Sequence, residues 1–240
     1  MSLNAEILEQ DQQPTEPKTK KKWSKKKIYN FVLGIFLTFV AILFSLTIYS
    51  TLSYQTGFFS DLSMSPTINK TITNNGIQYN NKNFSDVDDN IVEYGTINHK
   101  ISTSALKRFD VVVLTNNAAS FDFNAIRVIG LPGETVKLDY YGKLYINGEL
   151  VNQPIPEEYL KLNWSDEDDK EPSELNFECT LNDGEFYLLK DNRYYTRGDS
   201  RIVGAYKAKQ IYGKVISVDG TCTISGGKCI NRSIPFPRFI

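Results

Sequence analysis

Ser63, in Asp61-Leu62-Ser63-Met64-Ser65-Pro66, carries a hydroxyl that could act as a nucleophile or simply bond its own turn. A serine hydroxyl is a useful nucleophile at neutral pH only when a neighbouring group takes its proton. Histidine is scarce: His99, in Ile97-Asn98-His99-Lys100, is the single one, and a solvated side chain is the ordinary expectation there. Asp61 is a conceivable substitute base, two residues before the serine. With no base present, a hydroxyl in a Ser-Met-Ser-Pro turn simply bonds its own backbone. One histidine and three cysteines leave too few soft ligands for a zinc site, so no metal and no cofactor are expected. Cys222 and Cys229 flank Thr-Ile-Ser-Gly-Gly-Lys, which suits either a disulfide across a turn or two free thiols, and Cys179 has no partner in the first case. The acidic run Asp166–Glu171 reads as a solvated loop before it reads as a cation site or a dock for a basic partner.

The elements that position these residues begin with a strongly uneven chain. Its 240 residues carry 27 basic and 28 acidic side chains, a balance that argues against nucleic-acid binding through bulk charge. Residues 1–17 are polar and aperiodic and read as a disordered tail. Seven lysines follow within Lys18–Lys27, and then no charge occurs from Ile28 to Ser60. The 23 residues Ile28–Ser50 reach about 34 Å as a helix, enough for a hydrocarbon layer of roughly 30 Å. Trp23, Tyr29, Tyr49 and Tyr54 stand where interfacial aromatics are expected. A cleaved secretory signal has a shorter apolar core and a small-residue cleavage site, so an uncleaved anchor is the reading. The lysine cluster before the span places the N-terminus in the cytoplasm and everything after about Ser50 outside. The organisation is therefore a basic cytoplasmic tail (1–27), a single transmembrane helix in the lipid bilayer (28–50) and an extracytoplasmic domain (51–240).

That outer part is β in pattern. Phe109–Leu114, Ala125–Ile129, Thr135–Leu138, Lys143–Ile146, Phe186–Leu189 and Ile211–Val218 are short β-branched or aromatic runs bounded by turn residues. Asn147-Gly148 between apolar stretches signals a type I′ hairpin. Residues 69–104 and 153–178 read as polar excursions, the second one acidic. The fold class is mainly β, a domain of bent antiparallel sheets behind one N-terminal helix.

Four stretches, in order, resemble the type I signal peptidases of Gram-positive bacteria. Ser63-Met64-Ser65-Pro66-Thr67 is similar to their nucleophile box, and Phe109–Val113 to their Gly-Asp-Val-Val-Val strand. Arg127-Val128-Ile129-Gly130-Leu131-Pro132-Gly133-Glu134 matches their Arg-Val-Ile-Gly-Leu-Pro-Gly-Asp run in all but the last acid. Asp191-Asn192-Arg193 with Asp199-Ser200-Arg201 resembles their Asp-Asn-Arg…Asp-Ser-Arg segment, and Ile234–Ile240 is similar to their C-terminus. The resemblance implies a signal-peptidase-like fold and a membrane-anchored serine endopeptidase that takes Ala-x-Ala precursor segments, extended along a strand edge, with a Ser nucleophile and a Lys base. It makes Ser63 the nucleophile position, with Met64, Pro66 and Thr67 shaping its turn and Arg127 beside the dyad. Asp199 would pair with Arg193 or Arg201.

The same alignment places Ile126 where the family has its Lys base, and isoleucine accepts no proton. Lys107, the nearest lysine before it, reads as an ordinary exposed base. Asp61 stands two residues before the serine, where its charge would oppose a developing oxyanion. Lys190 replaces the family's usual Gly before Asp191, Thr196 stands near the Ser that orients the base, and one extra residue separates Arg193 from Asp199. The resulting expectation is a signal-peptidase-like protein that docks secreted or pilin precursors, with impaired or absent catalysis and a role in pilus assembly beside sortase. An active signal peptidase and an anchored structural or interaction protein are the alternatives.

Overall fold

The computed structural model describes residues 23–60, 62–69, 91–115, 123–139, 141–160, 177–193, 198–226, 228–233 and 237–240. Asp61, Thr196, the N-terminal residues 1–22, Asp166–Glu171 and Ile234–Pro235-Phe236 lie outside them. Residues 1–48 and 49–240 form two separate units. The helix α1 (Lys25–Ser53) extends the anticipated span by three residues at each end. It is long and apolar enough to cross a membrane by length and composition, about 43 Å at 1.5 Å per residue.

The second unit is built from two antiparallel sheets. Among the described residues the larger runs β1 (Tyr54–Phe59), β2 (Ile91–Asn98), β11 (Ile211–Ser225), β3 (Val111–Leu114), β4 (Ala125–Gly130), β9 (Glu185–Leu189) and β10 (Tyr206–Lys207). Both β12 (Lys228–Ser233) and β13 (Arg238–Phe239) pair with β11. The smaller sheet runs β7 (Glu149–Val151), β6 (Leu144–Ile146), β5 (Thr135–Leu138) and β8 (Glu178–Thr180). The described residues also include two short helices, α2 (Glu157–Leu160) and α3 (Ser200–Val203). The larger sheet curls: Phe123, leading into β4, donates its N–H to the Phe58 carbonyl on β1 at 2.9 Å.

β3 and β4 are buried on both faces, which is why they read as unbroken apolar runs rather than as alternation. One face of β4 joins Phe59, Met64, Ile68, Ile97 and Phe123 through Ala125, while Ile126 and Val128 pack on the other with Val112, Phe186, Leu188 and Tyr206. This opposition follows from the two-residue side-chain period of a strand. Asn147 and Gly148 both take positive φ in the turn joining β6 to β7, as the Asn-Gly pair demands.

Two expectations are corrected. Residues 69–104 are not one polar excursion, because β2 occupies Ile91–Asn98 and pairs with both β1 and β11. Tyr54–Phe59, expected only as the uncharged continuation of the span, form β1. Both strands are rich in Gly, Thr, Asn and Gln, and glycine serves packing here: a Cβ on Gly95 would stand 2.1 Å from the Ser217 carbonyl oxygen. Cys222 and Cys229 form a disulfide across the β11–β12 hairpin, and Cys179 is a free thiol.

Candidate active site

Ser63 sits in a single 3₁₀ turn, Leu62–Met64, directly after β1, and only 2% of its surface is exposed. Met64 anchors the turn by packing into the apolar cluster that contains Ala125 and Phe123. The chain then continues through a cis Ser65–Pro66 peptide, and Ile68 N–H closes on the Met64 carbonyl at 2.9 Å. From the opposite side Asn192 donates its backbone N–H to the Ser63 carbonyl at 2.9 Å, joining the first sequence box to the last.

Arg127 ties three boxes together. Its guanidinium forks onto Asp191 at 2.6 and 2.5 Å, donates to the Phe109 carbonyl at 2.7 Å and reaches the Thr67 hydroxyl at 2.8 Å. Such planar, charge-assisted pairs fix orientation as well as energy. Asp199 chooses between the two candidate arginines: Arg201 binds it at 2.6 Å with both groups buried. Asp199 also caps α3 by accepting the Arg201 N–H. Arg193 instead donates to the Lys190 carbonyl and to Gln153 Oε1, while its Nε has no hydrogen-bond partner among the described residues. Burial, followed by repulsion from Arg201, lowers Arg193 to about 10.

Ile126 is fully buried in the cluster on the opposite face of β4 from Ala125. Lys107 is exposed, in keeping with its sequence reading. His99 is half-buried rather than solvated, stacked on Tyr212 with ring centroids 5.7 Å apart. Among the described residues no cluster of His, Cys, Asp and Glu is arranged to hold a metal ion.

Two groups that matter here were not singled out as partners of the serine. One is a buried clamp: Asn69 and Glu93 exchange hydrogen bonds of 2.5 and 2.9 Å, and Arg238 of β13 spans Glu93 and the Thr67 carbonyl. Its signal lay in the C-terminal Arg238, but its carboxylate partner Glu93 comes from β2, where a strand was not expected. The other is Lys190, which is 1% exposed. Its ammonium donates to Asn124 Oδ1 and, at 3.2 Å, to the Ala125 carbonyl. The signal was present as a lysine in the place of the usual glycine.

A family model, signal peptidase of peptidase family S26, matches residues 29–218. The chain is 31% identical over 140 residues to signal peptidase I of Streptococcus pneumoniae TIGR4, covering 45% of this chain and 66% of that protein. It is 32% identical over 114 residues to signal peptidase I S of Bacillus subtilis 168, covering 44% and 55%. Less than two thirds of either relative is thus spanned. A crystal structure of a signal peptidase I from Enterococcus faecalis V583 is similar at 26% identity and a TM-score of 0.32, covering 45% of this chain and 95% of that one.

Proposed function

We infer, of a chain that belongs to the S26 signal peptidases, that it is a membrane-anchored serine endopeptidase cutting signal peptides from precursor proteins at the outer membrane face. The observation that carries this reading is the Ser63 turn, whose carbonyl is held by Asn192 while Arg127 binds Thr67 and Asp191 on either side. A nucleophile needs such positioning because misplacement by about 1 Å costs on the order of 10²-fold in rate. The lysines of Lys18–Lys27 before the apolar helix support an N-terminus in the cytoplasm and residues 51–240 outside. β1 ends the ordered path of the sheet and runs into the Ser63 turn, which suits a substrate of extended Ala-x-Ala type added at a strand edge.

The test is cleavage of a fluorogenic Ala-x-Ala signal peptide by the full chain in phospholipid vesicles. Turnover that Ser63→Ala abolishes supports the reading, and turnover absent from the unsubstituted chain overturns it.

A second reading is favoured by the burial of Ile126 among apolar side chains. In it the chain docks a secreted or pilin precursor without cutting it and serves pilus assembly beside sortase. Photo-crosslinking of a pilin precursor to a chain that shows no turnover is its expected signature.

A further inference from the structure

Lys190 occupies a position that calls for explanation. Lysine is almost never fully buried unless it is paired or functional, yet this side chain is among the most buried in the protein. Removing an ammonium from water is costly, and a strand-end lysine has a flexible stem with which to reach solvent instead.

The strand register supplies a reason. β4 and β9 are antiparallel, with Arg127 opposite Leu189 and Val128 opposite Leu188. Extending that register by one residue, past the last paired residue of β9, brings Lys190 to the level of Ile126. Side-chain alternation puts Lys190 on the same face of β9 as Phe186 and Leu188, and those two pack against Ile126 and Val128. The ammonium then reaches across to Asn124 and the Ala125 carbonyl, the two residues that immediately precede Ile126. Lys190 therefore brings an amine to the strand position where the isoleucine has none.

Its backbone is fixed at both ends. The N–H lies 3.5 Å from Asp199 Oδ2, and the carbonyl accepts from Arg193. Two residues on, Asn192 holds the Ser63 carbonyl, and Met64 packs in the cluster to which Ala125 belongs. The Ser63 turn thus rests on the two segments that hold the amine, one through Ala125 and one through Asn192. The flanking carboxylates Asp191 and Asp199 are engaged by Arg127 and Arg201, and Arg193 is the further cation on this segment.

We propose that Lys190 is the general base for Ser63, the amine having been transferred from position 126 to its cross-strand neighbour. This rests on the peptidase reading above. In acylation the amine of Lys190 takes the proton from Ser63 Oγ as that oxygen bonds the scissile carbonyl carbon. The proton passes to the departing amide nitrogen as the C–N bond breaks, leaving an ester on Ser63. In deacylation Lys190 takes a proton from water as the water oxygen attacks the ester carbon. It returns that proton to Ser63 Oγ, and the new carboxyl end leaves. No oxidant, metal or cofactor is needed for balance.

The experiment compares four full-length chains in vesicles on the same fluorogenic peptide: unsubstituted, Ser63→Ala, Lys190→Met, and the swap Ile126→Lys with Lys190→Met. Lys190→Met is expected to lower kcat by roughly 10²–10⁴-fold, the usual worth of a general base, with KM changed by no more than about twofold. The swap should restore turnover at least tenfold over Lys190→Met. A structural lysine would not produce that rescue. Circular dichroism and thermal unfolding check that Lys190→Met folds, and if it does not, the swap decides alone. Full turnover in folded Lys190→Met while Ser63→Ala is dead overturns this assignment and leaves the peptidase reading standing. Absence of turnover in the unsubstituted chain overturns both.

Discussion

Arg127 and Asp191 form a forked ion pair across the boundary between β4 and the segment after β9, Nε to Oδ1 at 2.6 Å and Nη2 to Oδ2 at 2.5 Å, with the carboxylate fully buried. The pair joins the Arg-Val-Ile-Gly-Leu-Pro-Gly run to the Asp-Asn-Arg segment, and so sets where Asn192 meets Ser63. Asp191→Asn keeps the shape and removes the charge, leaving a buried guanidinium uncompensated. The expected loss is about 3–5 kcal/mol of unfolding free energy, read from urea denaturation with an unchanged slope. Loss below about 1 kcal/mol would show that water reaches the pair.

Glu93 and Arg238 make the second brace, through Asn69 and the Thr67 carbonyl. Glu93→Gln retains the volume but turns charge-assisted bonds into neutral ones. A loss of about 1.5–3 kcal/mol is expected, together with a fall in kcat, because Thr67 lies on the strand-to-turn path after Ser63. Stability loss with kcat unchanged would confine the clamp to folding.

Tyr206 donates its hydroxyl to the Gly198 carbonyl at 2.7 Å, and burial with the nearby Asp199 charge pushes its pKa up to about 12. Between pH 10 and 12 the native phenol keeps a proton that the unfolded phenol, near 10, has lost. The unfolded state then binds fewer protons, so stability falls as pH rises through that window and the contribution is complete below it. Tyr187 acts in the same sense. Arg193, lowered to about 10, acts in the opposite one, since native protein releases its proton first. Tyr206→Phe should therefore lose about 1 kcal/mol at neutral pH and decline less steeply above pH 10, as measured by denaturant titrations at each pH.

Gly95 and Gly133 are required for different reasons. A Cβ at Gly95 meets the Ser217 carbonyl at 2.1 Å, and only a separation of β2 from β11 would relieve it. Gly95→Ala should cost at least about 3 kcal/mol. Gly133 has open space but a φ of +83°, so Gly133→Ala should cost about 1–2 kcal/mol. Equal effects in thermal unfolding would contradict the packing of the β2–β11 pair.

Cys222 and Cys229 are paired while Cys179 is free. Alkylation without reductant, followed by peptide mapping, should mark Cys179 alone. It should do so slowly at pH 8, because burial and then the Glu185 charge push that thiol up. Reduction should remove about 2–3 kcal/mol, the chain-entropy worth of a short closed loop.

The apolar helix, the strands at Thr135–Leu138 and Ala125–Ile129, and the Asn-Gly hairpin were legible from local pattern, because each depends on neighbours within a few residues. The four boxes, around Ser63, Asp110, Arg127 and the pair Asp191 with Asp199, were equally plain, since side-chain type and order carry them. β1 and β2 were not legible: their glycines and polar residues resemble loops until the partner strands bury them. The choice of Arg201 over Arg193 for Asp199 also needed coordinates, because both arginines lie within reach along the chain. Sequence determined that Ile126 has no proton acceptor and that Lys190 replaces a glycine. Only the antiparallel register of β4 and β9, a pairing across more than sixty residues of chain, decided that those two departures come to the same level, one residue past the last pair. Such register is set by the packing of both faces at once, which no local stretch of sequence contains.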